Sequence, residues 1–219
     1  MLAAVALGGC SSEGPELGTV GHVEGFLGGV AADEPRAVLV ARDVLSAGGT
    51  ATDAAVALYF ALSVTLPSAA SLGGGGICVV FDRKSDRVEA LDFTARAPAG
   101  RRTGRPSAVP GNPRGMFALH AKYGRLRWAQ LVAPAEKLAR FGSSVSRALA
   151  WHLSAAGPLL ADRESRRVFA RSDGTPLREG DIIEQLDLAV VLSLLRRSPG
   201  QFYSGPFARQ LVKAVRRAG

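Results

Sequence analysis

From Ala37 onward the apolar residues Ala37, Val40, Ala41, Val44 and Leu45 recur at three- and four-residue steps, which predicts a helix over residues 33–47 with one face turned inward. Asp33 is its candidate N-cap. Pro35 falls in the first turn, where a missing N–H costs nothing, and Gly48-Gly49 supply the stop. Thr50, with Asp53 three residues on, then reads as a capping box. The run 54–62 is apolar on every side, so the second helix belongs inside a domain until Pro67 forces Leu66 out of the helical region.

Beyond four consecutive glycines, 73–76, the period changes. Ile77-Cys78-Val79-Val80-Phe81 is a continuous β-branched and aromatic run, Arg87 to Phe93 alternates, and the polar stretch 82–86 between them reads as a turn. The expectation is a hairpin whose first strand is buried on both faces and whose second is half exposed. Helical patterning returns at 114–122, 128–140, 145–155, 185–196 and 205–217. A glycine- and proline-rich passage, 100–113, separates hairpin from helices as a subdomain boundary or a long surface loop. The fold class is α+β.

At 219 residues one domain is the default, and a domain of that size buries enough apolar surface to fold without disulfide staples. The formal charge of +8 is unevenly spread: residues 1–95 sum to −6 and residues 96–219 to +14. The basic half has arginine pairs, such as Arg101-Arg102 and Arg216-Arg217, but few aromatics to stack bases and no zinc-finger spacing. It reads as a solvated surface, with no nucleic acid as partner. Cys10 and Cys78 and the scattered His22, His120 and His152 make no metal-ligand pattern, and no cofactor is implied.

The glycine run is no phosphate cradle, because a strand follows it where a phosphate loop needs a helix N-terminus. Its role is structural, letting backbones pass close together or take positive φ. No GxSxG elbow is present, and no cysteine stands beside a basic partner. The N-terminal stretch Leu2 to Leu7 is apolar and ends in Leu7-Gly8-Gly9-Cys10, then polar Ser11-Ser12-Glu13, without a basic stretch ahead of it. It resembles a bacterial lipoprotein signal. The expected organisation is therefore a signal over 1–10 with Cys10 lipidated, a linker over 11–29, a folded domain over 30–219, and a periplasmic, membrane-anchored protein.

The residues also add up to a family resemblance. Gly29-Val30-Ala31-Ala32 with Pro35, Gly48-Gly49-Thr50-Ala51-Thr52-Asp53-Ala54-Ala55-Val56-Ala57 and Leu72-Gly73-Gly74-Gly75-Gly76 are similar to the opening segments of the γ-glutamyltransferase family. Leu91-Asp92-Phe93 with Ala97-Pro98-Ala99, Val109-Pro110-Gly111, Tyr123-Gly124-Arg125-Leu126 with Trp128, Gln185-Leu186-Asp187-Leu188-Ala189 and Phe202-Tyr203-Ser204-Gly205 continue it in order. The chain resembles the N-terminal part of that family's large subunit.

The resemblance implies an N-terminal-nucleophile hydrolase fold, an α/β/β/α sandwich made jointly by two subunits and incomplete here. It implies transfer of a γ-glutamyl group from a glutathione-like donor to water, an amino acid or a peptide. The nucleophile would be a threonine at the N-terminus of a small subunit, whose α-amino group serves as its own base. No Thr-Thr-His-type segment occurs in this chain, so it is expected to hold no catalytic residue and to be inactive alone, as a fragment or truncated product. The family grips the donor α-carboxylate with an arginine between Asp-Phe and Ala-Pro, a place suited to a guanidinium fork. Here ungapped alignment puts Thr94 at that position and Arg96 two places on, on the same face of an extended strand. Two other functions stay open: a non-catalytic envelope module of the same fold, and an acylase of the same family acting on other amides.

Overall fold

A computed structural model describes residues 28–98 and 107–217, so Cys10 and the expected lipidation lie outside the described residues. The chain runs α1 (Pro35–Ser46), α2 (Ala51–Thr65), α3 (Pro67–Ala70), β1 (Ile77–Asp82), β2 (Arg87–Asp92), α4 (Asn112–Tyr123), α5 (Trp128–Phe141) and β3 (Ser143–Ser144). It continues through α6 (Arg147–Ser154), a 3-10 turn at Leu159–Ala161, α7 (Arg163–Phe169), β4 (Ile182–Ile183), α8 (Leu186–Arg197), a 3-10 turn at Pro199–Phe202 and α9 (Gly205–Arg217). The five downstream helices expected from the periodicity are all present.

The all-apolar segment is the centre of the molecule. Val56, Ala57, Phe60, Ala61 and Val64 of α2 are wholly buried, with α1 on one side, α5 on the other, and α8 packed against α5. Phe60 meets Trp128 edge to face at 5.4 Å between centroids, and the Trp128 indole N–H donates to the Leu195 carbonyl at 2.8 Å, which joins α2, α5 and α8. A second cluster, Leu66, Val145, Leu149, Leu153, Leu177 and Ile183, seats α6 and the short β3–β4 pair.

The capping box at α2 forms as its sequence requires: Asp53 N–H donates to Thr50 Oγ1 at 3.1 Å and Thr50 N–H to Asp53 Oδ2 at 2.9 Å. The cap of α1 is Glu34 and not Asp33. Pro35 opens the helix and holds the residue before it extended, at φ −128° and ψ 109°, so Glu34 is the residue whose carboxylate accepts the Ala37 N–H at 2.8 Å. The C-terminus of α2 is met by Gln185, which donates from Nε2 to the Val64 carbonyl at 2.8 Å.

One expectation is corrected. The hairpin forms in the antiparallel register Ile77↔Asp92 to Asp82↔Arg87, but β1 is not buried on both faces. Cys78 and Val80 pack on the helices, while Ile77, Val79 and Phe81 face outward and are exposed. The physical reason is that, among the described residues, helices cover one side of this two-stranded sheet and nothing covers the other. The positive-φ role offered for the glycine run is also corrected, since none of the four has a positive φ. The close-approach role holds: a Cβ at Gly75 would stand 2.1 Å from the Ala95 amide nitrogen.

Candidate functional site

Three loops converge beside the end of β2. The Phe93 N–H donates to the Gly76 carbonyl at 2.9 Å, and the N–H groups of Gly111 and Asn112 share the Gly74 carbonyl at 2.8 and 3.1 Å. The Asn112 side chain donates to the Ser71 carbonyl, which also accepts the Tyr59 hydroxyl. Gly111 lets the segments meet: a Cβ there would lie 1.7 Å from the Phe93 carbonyl oxygen. The glycine run is thus the strut that sets 93–96 against the start of α4.

Arg96 and Val109 form an antiparallel bridge, with N–H···O distances of 3.3 and 2.7 Å, that brings the two segments side by side. Between them and α4 lies a cavity of about 420 Å³, lined among others by Asp92, Phe93, Thr94, Arg96, Pro110 and Arg114. Both residues proposed from sequence, Thr94 and Arg96, line this one cavity. They do different work in it. Thr94 donates from its N–H (2.9 Å) and its hydroxyl (2.8 Å) to Asp92 Oδ1, which closes an Asx-type turn at the strand end. Those bonds, the backbone one first, hold the Asp92 carboxyl below its ordinary pKa, so the group is ionised at neutral pH. Arg96 approaches Asp92 Oδ2 at 3.9 Å with a largely exposed side chain, a loose pairing that leaves its head available.

Sequence reasoning missed Arg114. It sits in the first turn of α4, its guanidinium lies over the Tyr203 ring at 4.4 Å from the centroid, and its N–H donates to the Tyr203 hydroxyl at 3.1 Å. That hydroxyl donates onward to the Pro110 carbonyl at 2.9 Å, and burial raises its pKa. The local sequence offered only the Val109-Pro110-Gly111 match as a signal; the Tyr203 partner is 89 residues away. No group of three or more potential metal-ligating side chains is present among the described residues.

Another matched segment proves structural. Asp53 is fully buried and its carboxylate accepts the N–H groups of Arg125 (3.1 and 3.0 Å) and Leu126 (3.2 Å) besides that of Thr50. The turn after α4 is therefore clamped to the start of α2. Lys122 and Tyr123 both bond the Glu89 carboxylate, tying that same C-terminal end of α4 to β2.

A protein-family model described as gamma-glutamyltranspeptidase matches residues 37–219. The glutathione hydrolase proenzyme of Bacillus subtilis is 35% identical over 212 residues, covering 88% of this chain and 36% of that protein. Glutathione hydrolase 3 of Arabidopsis thaliana is 36% identical over 219 residues, covering 93% of this chain and 34% of the plant protein. The chain thus spans about a third of the length of these curated relatives. Among solved structures, Helicobacter pylori gamma-glutamyltranspeptidase superposes with a TM-score of 0.82 at 31% identity, over 91% of this chain and 62% of that one. The helices packed on one face of the hairpin are accordingly part of an N-terminal-nucleophile hydrolase fold of α+β class. With the matched segments folded together and the alignment running through nearly all of its length, the chain belongs to the gamma-glutamyltranspeptidase family.

Proposed function

We propose that this chain is the donor-binding portion of an enzyme that moves a γ-glutamyl group from a glutathione-like donor to water, an amino acid or a peptide. The observation that supports this most directly is the cavity at the end of β2, where the segment that in the family bears the carboxylate-gripping arginine folds next to the start of α4. Thr94 stands where the family has that arginine, but its hydroxyl is engaged by Asp92 and carries no charge. Arg96 stays on the same cavity wall and supplies a cation two residues on. A guanidinium there pairs with the α-carboxylate of the donor and leaves the γ-amide to project toward a nucleophile.

The nucleophile is proposed to be the N-terminal threonine of a second polypeptide. Among the described residues, the one hydroxyl hydrogen-bonded to a histidine ring, Ser68 Oγ to His152 Nδ1 at 2.6 Å, is at the surface between α3 and α6, outside the cavity.

The test is an assay of residues 1–219 with a chromogenic γ-glutamyl anilide, with and without a threonine-bearing second chain. Turnover only on mixing supports the reading. Release by the isolated chain above a heat-killed control overturns the assignment of the nucleophile. A mixture that cleaves other acyl amides and leaves the γ-glutamyl anilide intact replaces the reading with an acylase of the same family.

A further inference from the structure

We propose that Arg114 is a second, specificity-determining guanidinium of the cavity, which receives the carboxylate of the bound ligand jointly with Arg96. The proposal rests on the γ-glutamyl reading for the identity of the ligand, but the site itself is argued from geometry.

Four observations converge. Arg114 and Arg96 line one cavity of about 420 Å³ from different walls, the first turn of α4 and the strand after β2. Among the described residues Arg114 takes part in no ion pair, whereas Arg96 shares its charge with Asp92. The Arg114 side chain is held over the Tyr203 ring, and Tyr203 is itself fixed by bonds to the Pro110 carbonyl and the Arg114 N–H. Stacking on an aromatic face leaves the edge of a guanidinium and its N–H fork free for an oxyanion, and the rotamer entropy that a carboxylate would otherwise have to remove is already reduced.

The fourth observation is electrostatic. The first turn of α4 contains no acidic residue, and Arg114 stands in it. A cation at a helix N-terminus runs against the dipole, so the position is unfavourable for the fold, and the partial positive charge of the helix end adds to that of the guanidinium. The early amides of α4 do not bind the anion themselves: those of Gly111 and Asn112 are taken by the Gly74 carbonyl, Pro113 has none, and that of Arg114 is taken by Tyr203. An uncompensated, immobilised cation facing a cavity is what a monoanionic carboxylate needs. Arg114 thus supplies, from the first turn of α4, a charge that Thr94 does not.

The test is direct binding by calorimetry to the 219-residue chain, with L-glutamate γ-methylamide and its α-carboxamide analogue as probes. Wild type is expected to prefer the carboxylate. Arg114→Gln is expected to weaken carboxylate binding by about tenfold or more with no effect on the carboxamide, and Arg114→Lys, which keeps the charge and loses the fork, by about threefold. Arg96→Gln is expected to lose less than Arg114→Gln, and thermal melts of all variants check that they remain folded. Equal affinity of wild type and Arg114→Gln for the carboxylate, no preference between the two probes, or no binding by wild type each overturns the proposal. The γ-glutamyl-transfer reading fails separately: Arg114-dependent binding without turnover on adding the threonine-bearing chain would leave the site and remove the activity.

Discussion

Asp53 shows how one side chain can decide the geometry of a site it never touches. Its carboxylate is wholly buried and takes N–H groups from Thr50, Arg125 and Leu126, with the His120 ring 3.9 Å away. Asp53→Ala would leave three part-buried donors without this acceptor, and each unmade bond costs up to about 1–3 kcal/mol, so a total loss of about 3 kcal/mol is expected once relaxation and access of water are allowed for. Asp53→Asn, isosteric but with an NH₂ directed at one of those donors, is expected to lose about 2 kcal/mol. Urea denaturation monitored by circular dichroism measures both; a change below about 0.5 kcal/mol for Asp53→Ala would mean that water replaces the carboxylate and the clamp is not structural.

Among the elements, those with a local code were legible. The capping box at Thr50 and Asp53, the all-apolar α2 and the turn-flanked hairpin each follow from residues within one or two helical turns or strand lengths of each other. The placement of α3, α7, β3 and β4 was not, because these short elements are fixed by tertiary partners: β3 exists only through β4, some 40 residues on. The cavity was half legible for the same reason. Thr94 and Arg96 could be read from the Asp-Phe and Ala-Pro flanks, but Arg114 gains its meaning from Tyr203, which only the fold brings near. The passage from α7 to β4 illustrates such a tertiary lock. Asp181 accepts a bidentate pair from Arg171 at 2.7 and 2.8 Å and the Arg178 N–H at 2.8 Å, and these, the guanidinium first, lower its pKa to about 2. A depressed carboxylate stabilises the fold fully above its unfolded pKa, near 3.8, and loses that contribution as pH falls through about 2. The melting temperatures of wild type and Asp181→Asn are therefore expected to differ most at neutral pH and to converge between about pH 4 and pH 2. A gap that stays constant over that range would show that the pair contributes nothing to stability.

For the whole molecule, the decisive feature is the uncovered face of the hairpin. Ile77, Val79, Phe81 and Val88 are 63%, 66%, 59% and 67% exposed, and the register places Phe81 opposite Val88 and Val79 opposite Ala90, so they form one contiguous apolar surface. Isolated exposed hydrophobics are ordinary, but a continuous sheet face is not, because water at such a patch is released when a second apolar layer closes over it. The curated relatives are about three times as long as the stretch they share with this chain. We propose that a sheet of the threonine-bearing second chain covers this face, as the two-sheet sandwich implied by the family resemblance requires. The 219-residue chain alone is then expected to bury the patch by self-association. Sedimentation velocity at micromolar concentration should show dimers or larger species. Val79→Glu with Phe81→Lys, both on the outer face and away from the helices, should shift them to monomer without lowering the melting temperature. The same double variant should lose complementation by a threonine-bearing chain, since that chain would have to bury two charges against its own sheet. Complementation as efficient as wild type would show that the partner docks elsewhere, and a monomeric wild-type chain would show that the patch alone does not drive association.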